Sequence, residues 1–114
     1  MLVEIFGNKT AAMVMLYLYH YGEAYPTGLA KDMGITLSQV QKQMDKFDQA
    51  GLLVSKKSGT VRIYQFNPKS PVARKVKELV KIFYDGMGIE EREKLFQVRR
   101  RPRRKGKPVI GRSQ

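Results

Sequence analysis

The chain has no cysteine, no tryptophan and a single histidine, His20. Without cysteine there is no disulfide, no thiolate metal site and no cysteine nucleophile, and the composition fits a reducing cytoplasm. His20 has no Asp, Glu or second His nearby that would give metal-ligand spacing, so a lone histidine near a helix end reads as structural. No cofactor is implied. Acidic residues are few, 10 against 22 Lys and Arg, for a net charge of +12. Long apolar runs are also missing. Ala11 to Tyr21 is the nearest to one, and it is far shorter than the roughly 20 residues that span a bilayer. No signal peptide is visible. There is no glycine loop to cradle a phosphate, and Gly86-Met87-Gly88 reads as a helix stop. The carboxylates are scattered and form no acid–base pair. These absences argue against an enzyme.

What is present is a chain of 114 residues, enough for one small domain, with a 42% apolar share that can supply a core. The positive charge is uneven. Residues 98–114 hold eight of the bases (Arg99, Arg100, Arg101, Arg103, Arg104, Lys105, Lys107 and Arg112) and none of the acids. The rest is only mildly basic. A strongly basic tail on a small domain points to a polyanion. Nucleic acid fits better than an anionic membrane, because the tail lacks an aromatic or long apolar face to insert.

The order of elements can be read from breakers and caps. Met1 to Phe6 is a short apolar lead-in. Asn8 caps a helix from Lys9 to about Tyr21, which Gly22 stops. Tyr25-Pro26 is extended, and Thr27 is the expected cap of a short helix from Gly28 to Met33. Met33-Gly34-Ile35-Thr36 is a tight turn, with Gly34 at positive φ and Thr36 capping the next helix, 36–50. Leu37, Val40, Met44 and Phe47 form that helix's apolar face. Its polar face carries Ser38, Gln39, Gln41, Lys42, Gln43 and Lys46. Gly51 ends it. Leu52-Leu53-Val54 opens a strand, Lys56 to Thr60 is a basic turn, and Val61 to Phe66 returns, with Val61, Ile63 and Phe66 expected inward. Ser70-Pro71 starts a further helix, 71–84, with Val72, Val76, Leu79, Val80 and Phe83 on one stripe. Ile89 to Phe96 can form one more, and the tail after Val98 reads as disordered.

Helix, helix, turn, helix, hairpin, helix makes the expected class mainly α with a small β-hairpin (α+β). The stretches are a winged helix-turn-helix domain (1–68), C-terminal helices (69–97) and a disordered basic tail (98–114). Leu29-Ala30-Lys31-Asp32-Met33-Gly34-Ile35-Thr36 resembles the "LA..LGIS" segment of winged-helix regulators. Ser38 to Met44 stands where that pattern has "STVSRHL", and Ala50-Gly51-Leu52-Leu53 matches "AGLV". The resemblance covers about residues 8–68 and is to small ArsR- or MarR-like prokaryotic DNA-binding repressors. The metal-sensing chemistry of the ArsR branch does not carry over, since cysteine is absent. A narrower likeness, on Phe6 to Ala12 and Leu37 to Gln41, is to winged-helix proteins found with nucleotidyltransferase-like partners.

The resemblance implies roles. Ser38, Gln39, Gln41 and Lys42 sit at the base-facing start of the recognition helix, and Thr36 with the helix N-terminus can bind phosphate through backbone N–H groups. Lys46 is one turn further, towards phosphate. Lys56, Lys57 and Arg62 lie on the wing, against the backbone or minor groove. In the tail, Arg101, Arg103, Arg104, Lys105 and Lys107 are further DNA-contact candidates. Lys105-Gly106-Lys107-Pro108 resembles the Arg-Gly-Arg-Pro core of AT-hook arms, with lysine replacing both arginines. Helices 9–21 and 71–84 are the expected homodimer surface, which would set two recognition helices roughly 34–36 Å apart. The expected function is sequence-specific binding of double-stranded DNA by a transcriptional regulator on the nucleoid, in the cytoplasm, with no membrane. The alternative is a protein- or RNA-interaction module partnering a nucleotidyltransferase-like protein.

Overall fold

The computed structural model describes residues 1–96. The basic-tail readings, including Arg101, Arg103, Arg104, Lys105 and Lys107, lie outside the described residues. The elements run α1 (Leu2–Phe6), α2 (Lys9–Tyr21), α3 (Pro26–Met33), α4 (Leu37–Gln49), β1 (Leu53–Ser58), β2 (Val61–Phe66), α5 (Pro71–Gly86) and α6 (Ile89–Leu95).

Three helices begin where a side-chain cap was expected. The Asn8 side chain accepts from the Ala11 N–H, Thr36 from Gln39 and Ser70 from Ala73. The lead-in is itself a helix, α1, and it buries Leu2. Helix α3 starts two residues before its expected position. Its N-cap is Tyr25 in extended conformation, without a side-chain cap, and Pro26 occupies the first turn. Thr27 is therefore inside the helix and exposed. Proline needs no donor at the first position and already has the helical φ, so it replaces the missing cap.

Helix α2 is the axis of the core. Ala11, Ala12, Val14, Met15, Leu16, Tyr17 and Leu18 are all buried along it. Leu29 and Ala30 of α3, Val40, Met44 and Phe47 of α4, Leu53 of β1, Tyr64 and Phe66 of β2, Val80 of α5 and Phe96 after α6 pack into the same cluster. The C-terminal helices thus share one core with the helix-turn-helix. The chain itself covers seven of the 13 residues of α2, which leaves Thr10, Met13 and Tyr19 half-covered on the helix expected to lend a dimer surface.

The hairpin is a two-stranded antiparallel sheet, with Leu53 opposite Phe66 and Ser58 opposite Val61. The turn is only Gly59-Thr60, with Gly59 at φ +66°. Lys56 and Lys57 therefore lie on β1 rather than in the turn. The inward side of β2 is also corrected. Tyr64 and Phe66 are buried, Val61 is exposed and Ile63 is half-buried. Ala24 decides this parity. Its N–H donates to the Tyr64 carbonyl at 3.0 Å, and its carbonyl accepts from the Tyr64 N–H at 2.7 Å. This third-strand contact clamps the base of the hairpin to the end of α2, with the Tyr64 side inward.

Candidate nucleic-acid interface

The turn between α3 and α4 is built by the backbone. Gly34 has φ +69°, and the N–H groups of Gly34 and Ile35 both donate to the Ala30 carbonyl. A side chain at Gly34 would be strained in that conformation. Asp32, just before the turn, is buried, and its Oδ2 accepts from the Tyr17 hydroxyl at 2.7 Å. This bond fixes α3 against the core helix. Its signal in the sequence was weak: a single acid on an otherwise apolar face.

Helix α4 presents its N-terminal turn outward. Thr36, Ser38, Gln39 and Lys42 are exposed. Thr36 is tied in reciprocally. It accepts from the Gln39 N–H at 3.3 Å and donates to Gln39 Oε1 at 3.0 Å. Gln41 is half-buried, and its Nε2 donates to Asp45 at 2.9 Å and to the Tyr64 hydroxyl at 3.3 Å. The second of these bonds joins α4 to the wing.

Two residues of α4 depart from the expected faces. Leu37 is 46% exposed, while Gln43 is only 8% exposed. The core reaches α4 at Val40, Gln43, Met44 and Phe47, the helical stripe closest to α2 and α3. Leu37 stands one turn beyond that contact. Among the described residues, Gln43 Oε1 has no hydrogen-bond partner. Lys46 is exposed, and its Nζ lies 3.4 Å from the Phe6 carbonyl at the end of α1 and 5.0 Å from the Phe47 ring centroid. It bridges the two helices while keeping its charge at the surface.

The wing cations split between the two faces of the hairpin. Lys57 pairs with Arg62, and Leu53 and Ser55 pair with Phe66 and Tyr64. All six are on the face that Tyr64 turns towards α4. Lys56 pairs with Ile63 on the other face. Lys57 and Arg62 are like charges set directly opposite each other, an arrangement that costs stability and is relieved by an anion. Arg62 Nη1 also donates to Ser55 Oγ at 3.0 Å, which holds the guanidinium along the strand.

His20 sits within a set of aromatic contacts. Its Nδ1 is 2.6 Å from the Tyr84 hydroxyl, and its ring stacks on Phe96 with centroids 3.9 Å apart at 6°. It joins the ends of α2, α5 and α6. Among the described residues no group of three His, Cys, Asp or Glu comes together to hold a metal, and no helix is long and apolar enough to cross a membrane.

No protein-family model matches the sequence, and no curated protein matches it. Solved structures do match. The AntR antimony-specific transcriptional repressor superposes with a TM-score of 0.56 at 22% identity, over 82% of this chain and 78% of that one. A MepR-like protein complexed with pseudoligands superposes with a TM-score of 0.52 at 20% identity, over 85% of this chain and 75% of that one. With the helix-turn-helix of α3 and α4 and the β1–β2 hairpin behind it, these likenesses establish the winged-helix fold.

Proposed function

We propose that the chain is a transcriptional regulator that binds double-stranded DNA in a sequence-specific way. Helix α4 enters the major groove, and Lys57 and Arg62 on the wing meet the flanking backbone. The observation that carries this reading is the face shared by α4 and the wing. Exposed donors and acceptors at the start of α4 are joined through the Gln41–Tyr64 bond to a strand pair whose outer end is two opposed cations. A helix with polar tips and few charges is suited to base edges, and the cations beside it to phosphates. The AntR neighbour is a transcriptional repressor on the same fold, and that supports the reading by analogy.

Lys42 and Lys46 add two cations along α4, and Lys56 adds one on the outer face of the wing. The eight bases of 98–114 are assigned to phosphate or minor-groove contact. Each phosphate they neutralise adds about 0.9 to the logarithmic salt slope. The chain acts as a homodimer. The exposed apolar residues of α5 and α6, with Val72 64%, Ile82 67% and Ile89 68% exposed, are its pairing surface.

Selection of bound sequences from random duplex DNA, with the full chain and with a chain ending at residue 97, tests this. A defined motif that survives tail removal is expected. Equal binding of structured RNA and of all duplexes would overturn the reading in favour of an interaction module.

A further inference from the structure

Gln41 is the one candidate base-reading side chain whose amide hydrogens are both engaged within the fold. An amide nitrogen has two hydrogens. One is directed at Asp45 Oδ1, 2.9 Å away and one helical turn on, and the other at the Tyr64 hydroxyl, 3.3 Å away on β2. The Gln41 atom facing Asp45 is the nitrogen, and the remaining polar atom is the carbonyl oxygen. Tyr64 is buried and its backbone is held by both bonds to Ala24, so its hydroxyl is a fixed post rather than a mobile one. Gln39, two residues earlier, shows the opposite polarity. Its Oε1 is taken by the Thr36 hydroxyl.

A glutamine usually reads adenine with both ends of its amide, donating to N7 and accepting from the N6 amino group. With both hydrogens engaged, the donating half of that contact is closed. Resting on the regulator reading above, we propose that Gln41 reads DNA through its amide oxygen alone. The contacted base must then carry an exocyclic amino group in the major groove, as adenine and cytosine do, and N7 is not used. Asp45 and Tyr64 are the positioning residues that impose this.

The test starts from the duplex motif selected by the full chain. Gln41→Ala identifies the contacted position as the one whose preference it erases. At that position the parent is expected to accept adenine or cytosine and to discriminate against guanine and thymine. Removing the amino group, with purine in place of adenine or pyrimidin-2-one in place of cytosine, should weaken binding about tenfold, the effect of one good base contact. Replacing adenine by 7-deazaadenine, which lacks the N7 acceptor, should change affinity by less than about twofold, because no base contact is lost. Tyr64→Phe keeps the buried ring and frees one amide hydrogen. That variant should narrow the position to adenine and become sensitive to the 7-deaza substitution, which a merely structural role for the hydroxyl would not produce.

The outcomes separate cleanly. If the parent requires adenine and loses as much with 7-deazaadenine as with purine, the contact is two-ended and the proposal is overturned. A guanine or thymine at the contacted position overturns it too. So does an unchanged base profile in Tyr64→Phe, or a motif in which Gln41→Ala erases nothing. In each of those cases the regulator reading stands. A chain that selects no duplex motif at all overturns both.

Discussion

Helices α2 and α5 look alike in the sequence, yet the fold uses them in opposite ways. Both are capped by a side-chain oxygen, both are rich in apolar residues, and both were expected to offer a dimer surface. Helix α2 is enclosed, with seven of its 13 residues buried. It is the post against which α1, α3, α4 and α5 pack. Helix α5 has 16 residues but buries only Ala73 and Val80, with Val76, Leu79, Phe83 and Tyr84 half-covered. Val72 and Ile82 remain in solvent. A helix apolar all round is a core helix, and a helix apolar on one side plus a second exposed patch has surface to share. The contrast divides the labour: α2 holds the core together, and α5 leaves apolar surface open, the surface assigned above to pairing in the proposed dimer.

The largest expected effect lies on α2. Leu18 is fully buried, and Leu18→Ala should lower unfolding stability by about 2–5 kcal/mol, read as a shifted denaturation midpoint. If α2 tolerates this change as well as an exposed site would, it is not the post of the core. Next comes Tyr17→Phe, which removes the 2.7 Å bond to the buried Asp32 carboxylate without changing the ring. It should cost about 1–3 kcal/mol. Because Asp32 immediately precedes the turn into α4, the loss should also appear as faster amide exchange at Gly34 and Ile35 than elsewhere in the core. Uniform exchange changes would mean that the bond serves α2 alone.

The caps Asn8, Thr36 and Ser70 were legible because they depend only on neighbours three residues away. The glycine at Gly34 was legible for the same reason. The parity of β2 was not. Val61 and Ile63 are ordinary inward residues of an alternating strand, but the pairing of Ala24 with Tyr64 turns the strand the other way, across some forty residues of chain. Gln43 is polar and its position predicts the outer face, yet tertiary contact with α2 and α3 buries it. Of the candidate site, Thr36, Ser38, Gln39 and Lys42 are exposed on α4 as expected. The pairing of Gln41 with Tyr64 and the separation of Lys56 from Lys57 and Arg62 needed the hairpin register, which no local pattern carries. The enclosure of α2 is of the same kind: its composition announced burial, but not by which chain.

Smaller effects belong to α5. Ser70→Ala removes the hydroxyl that accepts from the Ala73 N–H at 3.0 Å, and it should cost about 1 kcal/mol. Ser70→Asp should recover it, since a carboxylate caps as well and favours the positive end of the helix. Failure of the aspartate to rescue would show that the hydroxyl does something other than cap.

Ile82→Asp should have the smallest effect on folding and the clearest effect on assembly. The side chain is 67% exposed within one chain, so a charge there meets solvent and the stability of the isolated domain should change by less than about 0.5 kcal/mol. Two carboxylates brought together across a symmetric α5 interface would repel and lose the apolar contact, because a two-fold interface repeats every change. Sedimentation of the parent should give a dimer and that of Ile82→Asp a monomer, at a concentration where both are folded. A monomer reads one half-site, so its DNA affinity should fall far more than its stability does. If Ile82→Asp remains dimeric, the pairing surface is not on this face of α5, and the division of labour between the two helices needs another partner for α5.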